Sequence, residues 1–272
     1  MKLSVLGRAL HIASSRYRVV IPTMVLHRMG VEICKDADIL LYSKSEVDKG
    51  ILDLYPKKIY DICDDNFDCG KRGPEYEKHA KGANVVTCNS EVMRFVIHQK
   101  AGRIAEVIPD PYEHPEWKPS WGEGLMWYGH SVNVKDLVRV LPLLKDPVAP
   151  LTTSTDRLPS YVEWSHAEMD RQYRKCSMVI IPTGRGIAKS ANRMIEAVRA
   201  GKFVVAEPLP AYEEFSDLMW VGDIPEGVEW AKARQSECLE RVRACQDRIR
   251  ERFSPQTIGA KWFQVVKKLH EG

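Results

Sequence analysis

Short apolar runs alternate with amphipathic stretches along most of this chain. In the first part KLSVLG (2–7), ADILLYS (37–43), KKIYDIC (57–63), ANVVTCNS (83–90) and RIAEVIPD (103–110) read as strands. Residues 16–29 and SEVMRFVIHQKAG (90–102) have helical spacing, the latter with Ser90 as N-cap and Gly102 closing it. Strands alternating with helices at this spacing predict a parallel sheet built from βαβ units.

The alternation stops at PDPYEHPEWKPSWGEG (109–124), where four prolines and two glycines leave no room for a regular element. This segment reads as an interdomain linker. Beyond it GLMWYG, VAPLTT, SYVEW, SMVIIPT and KFVVAE read as strands, with helices at VKDLVRVLPLL, HAEMDRQYRKC and SANRMIEAVRAG. A long amphipathic helix is predicted over 229–253, with Leu239, Val242, Cys245, Ile249 and Phe253 on one side. Ser254-Pro255 then restarts a final helix, because proline suits a first helical turn.

A length of 272 residues accommodates two cores. The expected fold class is therefore α/β, with two Rossmann-like domains facing a cleft and C-terminal helices. The expected divisions are residues 1–115, 116–253 and a closing helix at 254–272.

Composition narrows the function classes. Forty Lys and Arg against 37 Asp and Glu give a net charge of +3, spread along the chain rather than gathered in a basic arm. With no zinc-finger, RRM or KH signature, this argues against a nucleic-acid partner. The opening MKLSVLG is too short an apolar stretch for a secretory signal, and the most apolar run, 19–26, is broken by Pro22 and Thr23, so a cytoplasmic location is expected. Seven scattered cysteines without a CxxC pair fit reduced thiols, and Cys63, Cys69 and His79 match no common zinc spacing. The final helix carries Trp262 and Phe263 beside Lys261, Lys267 and Lys268, which allows weak membrane-surface contact or, alternatively, packing on a domain.

Chemistry concentrates after the buried-strand pattern SMVIIPT. With residues 189–201 on one helix, Lys189, Asn192, Arg193 and Glu196 fall within an arc of roughly 100°, opposite Ala191, Met194, Ile195 and Val198. The turn Thr183-Gly184-Arg185-Gly186 leads to a helix start at Ser190, whose outward N–H groups favour phosphate. Lys189 and Arg193 would add charge-assisted hydrogen bonds to a diphosphate, and Glu196 would accept from ribose hydroxyls. The same polar face would also suit a solvated helix. Its position at the carboxyl end of a parallel sheet favours a ligand.

Further candidates lie at other strand ends. Gly129-His130-Ser131 forms a small-residue turn after LMWY, suited to backbone approach by a ligand or to a plain connection. Arg16 and Arg18, in SSRYR after the first strand, would reach an anionic phosphate or acceptor group. Asp64 and Asp65, near Asp61 and Asn66, would supply a general base or cap a turn. No metal site is expected.

The run PTGRGIAKSANRMIEAVRAGKFVVAEPLPAYEEF (182–215) resembles the donor-binding region of GT-B glycosyltransferases of the retaining "group 1" type, and SSRYR, VVTCNSEV, VIPDPYE and LMWYG extend the likeness more weakly. The resemblance implies an acceptor-side domain at 1–115 and a donor domain at 116–253. It also implies transfer of a sugar from a nucleotide diphosphate-sugar to a glycan, lipid-linked or small-molecule acceptor, without a metal and with the nucleotide-sugar as co-substrate rather than a separate cofactor. In it Glu196 would match the ribose-associated second glutamate of a pair separated by seven residues, and Trp164, at the end of SYVEW, would pack on the nucleobase or alternatively in the core. The first glutamate of the pair falls at Ala188. That departure keeps an inverting transferase, a nucleotide-sugar epimerase and a non-catalytic nucleotide-sugar binder as alternatives. A dinucleotide-dependent dehydrogenase lacks its GxGxxG, because Gly184-Arg185-Gly186 has no third glycine.

Overall fold

The computed structural model describes residues 1–7, 12–43, 47–153, 155–184 and 186–272. Its contacts divide the chain into two units. The first comprises Met1–Glu113, Ala188–Ser190 and Glu251–Gly272, the second His114–Ile187 and Ala191–Arg250.

The first unit contains β1 (Lys2–Val5), β2 (Glu32–Ile33), β3 (Ile39–Ser43), β4 (Lys57–Ile62), β5 (Val85–Cys88) and β6 (Glu106–Val107). They form one parallel sheet in the order β2-β1-β3-β4-β5-β6. Leu40, Tyr42, Tyr60, Ile62, Val86, Met93 and Ile97 belong to one apolar cluster, and Leu3, Leu41, Ile59, Ile258, Trp262 and Val266 to another. Residues of β3 and β4 thus contribute to both clusters, as expected of strands covered on both faces. The closing helix Pro255–Glu271 is capped by Ser254, which accepts from the Thr257 N–H at 3.1 Å. It buries Ile258, Trp262 and Val266 in this unit, so its apolar side is occupied by packing.

A continuous helical stretch over 13–28 changes pitch in its middle, with Arg16–Val20 wound as a π-turn before the helix Ile21–Arg28. Pro22 explains the change: it has no N–H to donate, and its ring displaces the carbonyl four residues back, so the wider turn relieves both problems. The helix Glu91–Ala101 begins and ends where the sequence indicates. Ser90 accepts from the Met93 N–H at 3.1 Å, and Gly102 has φ 65°.

The second unit contains β7 (Leu125–Tyr128), β8 (Val148–Thr152), β9 (Val162–Glu163), β10 (Met178–Ile181), β11 (Phe203–Ala206) and β12 (Trp220–Val221). Its parallel sheet has the order β12-β11-β10-β7-β8-β9. The strand order reverses between β7 and β10, the switch point outside which ligands of doubly wound sheets bind.

Three expectations change. The predicted helix 229–253 is two helices, Ile224–Lys232 and Gln235–Phe253, and Asp223 caps the first by accepting from the Glu226 N–H at 2.9 Å. Of the expected stripe Val242, Cys245, Ile249 and Phe253 are buried, but Leu239 is only half-buried and Cys238 takes its place in the core. Strands β2 and β12 and the helix Arg72–Gly82 were not foreseen; the two strands are only two residues long and carry no usable pattern. All seven cysteines are free thiols. Among the described residues no helix is long and apolar enough to cross a membrane.

Candidate active site

The switch point of the second sheet assembles its site from three elements. Gly129 follows β7 directly, and its N–H donates to the Leu151 carbonyl at 3.1 Å, holding the turn against the end of β8. His130 is exposed and begins the 3-10 turn Ser131–Asn133, with its Nδ1 accepting from the Val132 N–H at 3.3 Å. A side chain at Gly129 would start 3.0 Å from the Trp127 ring and 3.7 Å from Nη1 of Arg193. The tight neighbour is the Trp127 ring, while Nη1 of Arg193 lies at ordinary contact distance from this turn.

Arg193 lies in the first turn of the helix Asn192–Arg199. The buried Tyr128 hydroxyl donates to its backbone carbonyl at 2.5 Å. The buried Tyr212 hydroxyl faces its guanidinium. Burial raises both tyrosines above their ordinary range, so they act here as neutral hydrogen-bonding groups. Nη1 of Arg193 is buried and has no hydrogen-bond partner among the described residues. A buried donor without a partner is costly to a fold, and an anion at this turn would satisfy it.

The helix itself is shorter than the sequence pattern indicates. It begins at Asn192, with Ala191 as N-cap, because Ala188–Ser190 pack with the first unit and Ala188 joins its apolar cluster. Lys189 and Ser190 therefore do not share a helical face with Arg193. Lys189 is exposed and Ser190 half-buried. Asn192 is half-buried in the first turn, and Arg185 lies outside the described residues.

Glu196 also departs from expectation. It is 2% exposed, and Oε2 accepts from the His114 N–H at 2.8 Å. One helical repeat later, Arg199 is 6% exposed and donates from Nε to the His114 carbonyl at 3.3 Å and from Nη1 to Glu116. The proline-rich segment 114–120 is thereby fastened to the helix Asn192–Arg199. Trp117 N–H donates to Arg199 O at 2.9 Å, Gln246 donates to Trp117 O and Val198 O at 2.9 Å each, and buried Lys202 donates to Ser120 O, Ser120 Oγ and Cys176 O at 3.2, 2.9 and 2.9 Å. The segment has no regular structure, as its prolines required, yet it is not a loose linker.

In the first unit, Arg18 is a core residue rather than a ligand arm. It is fully buried, with Nε donating to Asp61 Oδ2 at 3.0 Å, Nη2 to Asp61 Oδ1 at 2.5 Å, and Nη1 to Asp110 Oδ1 at 3.1 Å and to the Ile108 carbonyl. Burial opposes the charge, but the two carboxylates outweigh it and hold the guanidinium above its ordinary value. Arg16 is likewise engaged, donating to both oxygens of Glu113 at 2.7 Å. The π-turn is what directs both arginines inward. Sequence periodicity could not show this, because it assumes an even 3.6-residue pitch.

Asp64 and Asp65 are exposed after β4, and Asp65 accepts from the Phe67 N–H at 3.3 Å, a turn-capping geometry. Trp164 follows β9, half-buried and edge-on to His166 at 4.9 Å, so it is not a core residue. Among the described residues no group of three or more His, Cys, Asp or Glu could hold a metal ion. The residues missed by sequence reasoning are Tyr128 and Tyr212. Tyr128 ends an apolar run and Tyr212 directly precedes Glu213 and Glu214, and only the fold brings them to Arg193.

Two units, each with a six-stranded parallel sheet, and C-terminal helices give the chain the GT-B glycosyltransferase fold. HepE from Anabaena, solved with UDP-glucose, is similar over 100% of both chains, with a TM-score of 0.75 and 12% identity. A sucrose-phosphate synthase from Thermosynechococcus elongatus is similar over 99% of each chain (TM-score 0.68, 9% identity). T4 phage BGT with its UDP-glucose substrate is also similar, over 99% of each chain (TM-score 0.66, 10% identity). No protein-family model and no curated protein sequence matches the chain.

Proposed function

We propose that this protein is a glycosyltransferase that moves a sugar from a nucleotide diphosphate donor to an acceptor hydroxyl. The carrying observation is the buried Nη1 of Arg193, without a hydrogen-bond partner among the described residues, beside the Gly129 turn at the switch point of the second sheet. The diphosphate lies along this turn, where the backbone at Gly129-His130-Ser131, the Asn192 start of the helix and the guanidinium of Arg193 meet its charge. These groups stabilise the same charge as the sugar departs, which is the main electrostatic demand of the reaction.

Trp164, half-exposed after β9, is assigned to the nucleobase, and UDP is the nucleotide to test first because the structural relatives HepE and T4 phage BGT carry UDP-glucose. Asp64 and Asp65, both exposed, are the candidate general bases toward the acceptor, and Lys189 is a candidate second cation. The reaction is proposed to retain anomeric configuration and to use neither a metal nor a cofactor beyond the nucleotide-sugar. The acceptor is a glycan, lipid-linked or small-molecule hydroxyl, and the setting cytoplasmic.

Calorimetric titration of the wild type with UDP and uridine, beside Arg193→Ala, tests the donor reading. UDP should bind more tightly than uridine, and Arg193→Ala should remove about 1.5–3 kcal/mol of the UDP affinity, the usual worth of a hydrogen bond to a charged group. Equal affinities for UDP and uridine in the wild type would refute it. Release of UDP from UDP-sugars in the presence of acceptor mixtures then separates a transferase from a non-catalytic binder.

A further inference from the structure

In the second unit, one short helix performs two tasks with residues three apart. Arg193 at its start faces the Gly129 turn, while Glu196 and Arg199 hold the two backbone polar groups of His114, its N–H and its carbonyl. Residues at this spacing lie on neighbouring strips of a helix, so the rotation of the helix about its axis is fixed by the backbone it grips. Further contacts prevent the gripped segment from shifting. The His114 ring lies between the Pro115 carbonyl, at 2.6 Å from Nδ1, and Asp170, at 3.1 Å from Nε2, and Trp117 stacks under Arg174 at 4.2 Å. Gly201, with φ 73°, lets Lys118 O approach to 2.4 Å from where a Cβ would stand.

From this we infer that Glu196 is a positioning residue that reads no part of the nucleotide: its carboxylate sets the helix Asn192–Arg199 on the His114 backbone and so aims Arg193 at the phosphates. A carboxylate that is 2% exposed and committed to a buried backbone N–H is poorly available to ribose hydroxyls. Its charge makes the bond to His114 stronger than a neutral acceptor would. The linker thus acts as a jig for the diphosphate contact, and selection of the ribose falls to other groups of the site.

The binding arm of the test rests on the donor reading above, and the structural arm does not. UDP, uridine and 2′-deoxyuridine are titrated into the wild type, Glu196→Ala, Glu196→Gln, Arg193→Ala and the double variant Glu196→Ala/Arg193→Ala. Glu196→Ala should weaken UDP about tenfold, at the lower end for loss of a hydrogen bond to a charged group. It should leave uridine and its discrimination from 2′-deoxyuridine unchanged. Glu196→Gln, which keeps an acceptor oxygen but loses the charge, should bind UDP between the wild type and Glu196→Ala, and the double variant should be no weaker than Arg193→Ala.

A ribose ligand gives the opposite pattern, with uridine and UDP weakened by the same factor and an additive loss with Arg193→Ala, and this would overturn the inference. So would unchanged UDP binding in Glu196→Ala. Amide exchange at His114 tests the clamp without nucleotide. Faster exchange in Glu196→Ala supports the grip, and unchanged exchange overturns it even if the protein binds no nucleotide at all. If Glu196→Ala does not fold, Glu196→Asp, one methylene shorter and still charged, should show both effects in milder form.

Discussion

Replacing Arg18 by methionine separates a ligand arm from a structural cation. The substitution roughly keeps the aliphatic volume and deletes the charge, leaving Asp61 at 0% and Asp110 at 4% exposure without their cation. Removing one partner of a buried pair costs about 3–5 kcal/mol, because the remaining charge stays desolvated. The Thr87 hydroxyl donates to Asp61 at 2.7 Å and Asn89 Nδ2 lies 3.5 Å from Asp110, so part of the carboxylate demand survives and the lower half of that range is expected. For a domain of this size each kcal/mol shifts the midpoint by about 2–4 °C, so a fall of roughly 6–16 °C follows. Scanning calorimetry and urea unfolding would measure it. Arg18→Met/Asp61→Asn should recover part of the loss by removing one stranded charge. A midpoint within about 2 °C of the wild type accompanied by lost UDP binding would return Arg18 to the role of a ligand arm and refute the buried-network account. A double variant less stable than the single would refute the stranded-charge mechanism.

Two further outcomes follow from other parts of the molecule. Gly201→Ala places a methyl 2.4 Å from Lys118 O on a backbone with φ 73°, so it should destabilise by at least the ~1–2 kcal/mol of a left-handed non-glycine residue, read as a lower urea midpoint. His79 is buried beside Tyr42 and Tyr60, and burial lowers its pKa while Glu75 partly opposes this. The unfolded chain therefore binds more protons as pH drops below the ordinary histidine value. Stability is full above that value and falls as pH descends toward the lowered one. Unfolding free energies from pH 8 to 5 should show this slope, and His79→Phe should flatten it.

Much of the architecture was legible in the sequence because it rests on local rules. Apolar runs of four to six residues between helical stretches marked the long strands, Ser90 and Gly102 marked both ends of one helix, and Ser254-Pro255 opened the last. The Gly129 turn and Arg193 were legible for the same reason, since a small residue after a buried strand and a cation at a helix start are readable one element at a time. The fates of Arg18, Lys189 and Glu196 were not. Each sits in a pattern that fits a polar surface, and each was decided by a non-local event. A proline-induced π-turn carried Arg18 into the sheet end, Ala188–Ser190 packed with the first unit and shortened the helix, and the proline-rich segment returned to cover Glu196. Sequence by itself determined which elements form and where charge is available. The tertiary structure alone decided which of those charges are used up within the fold and which, like Nη1 of Arg193, have no partner among the described residues, because hydrogen bonds between residues distant in sequence leave no periodicity along the chain.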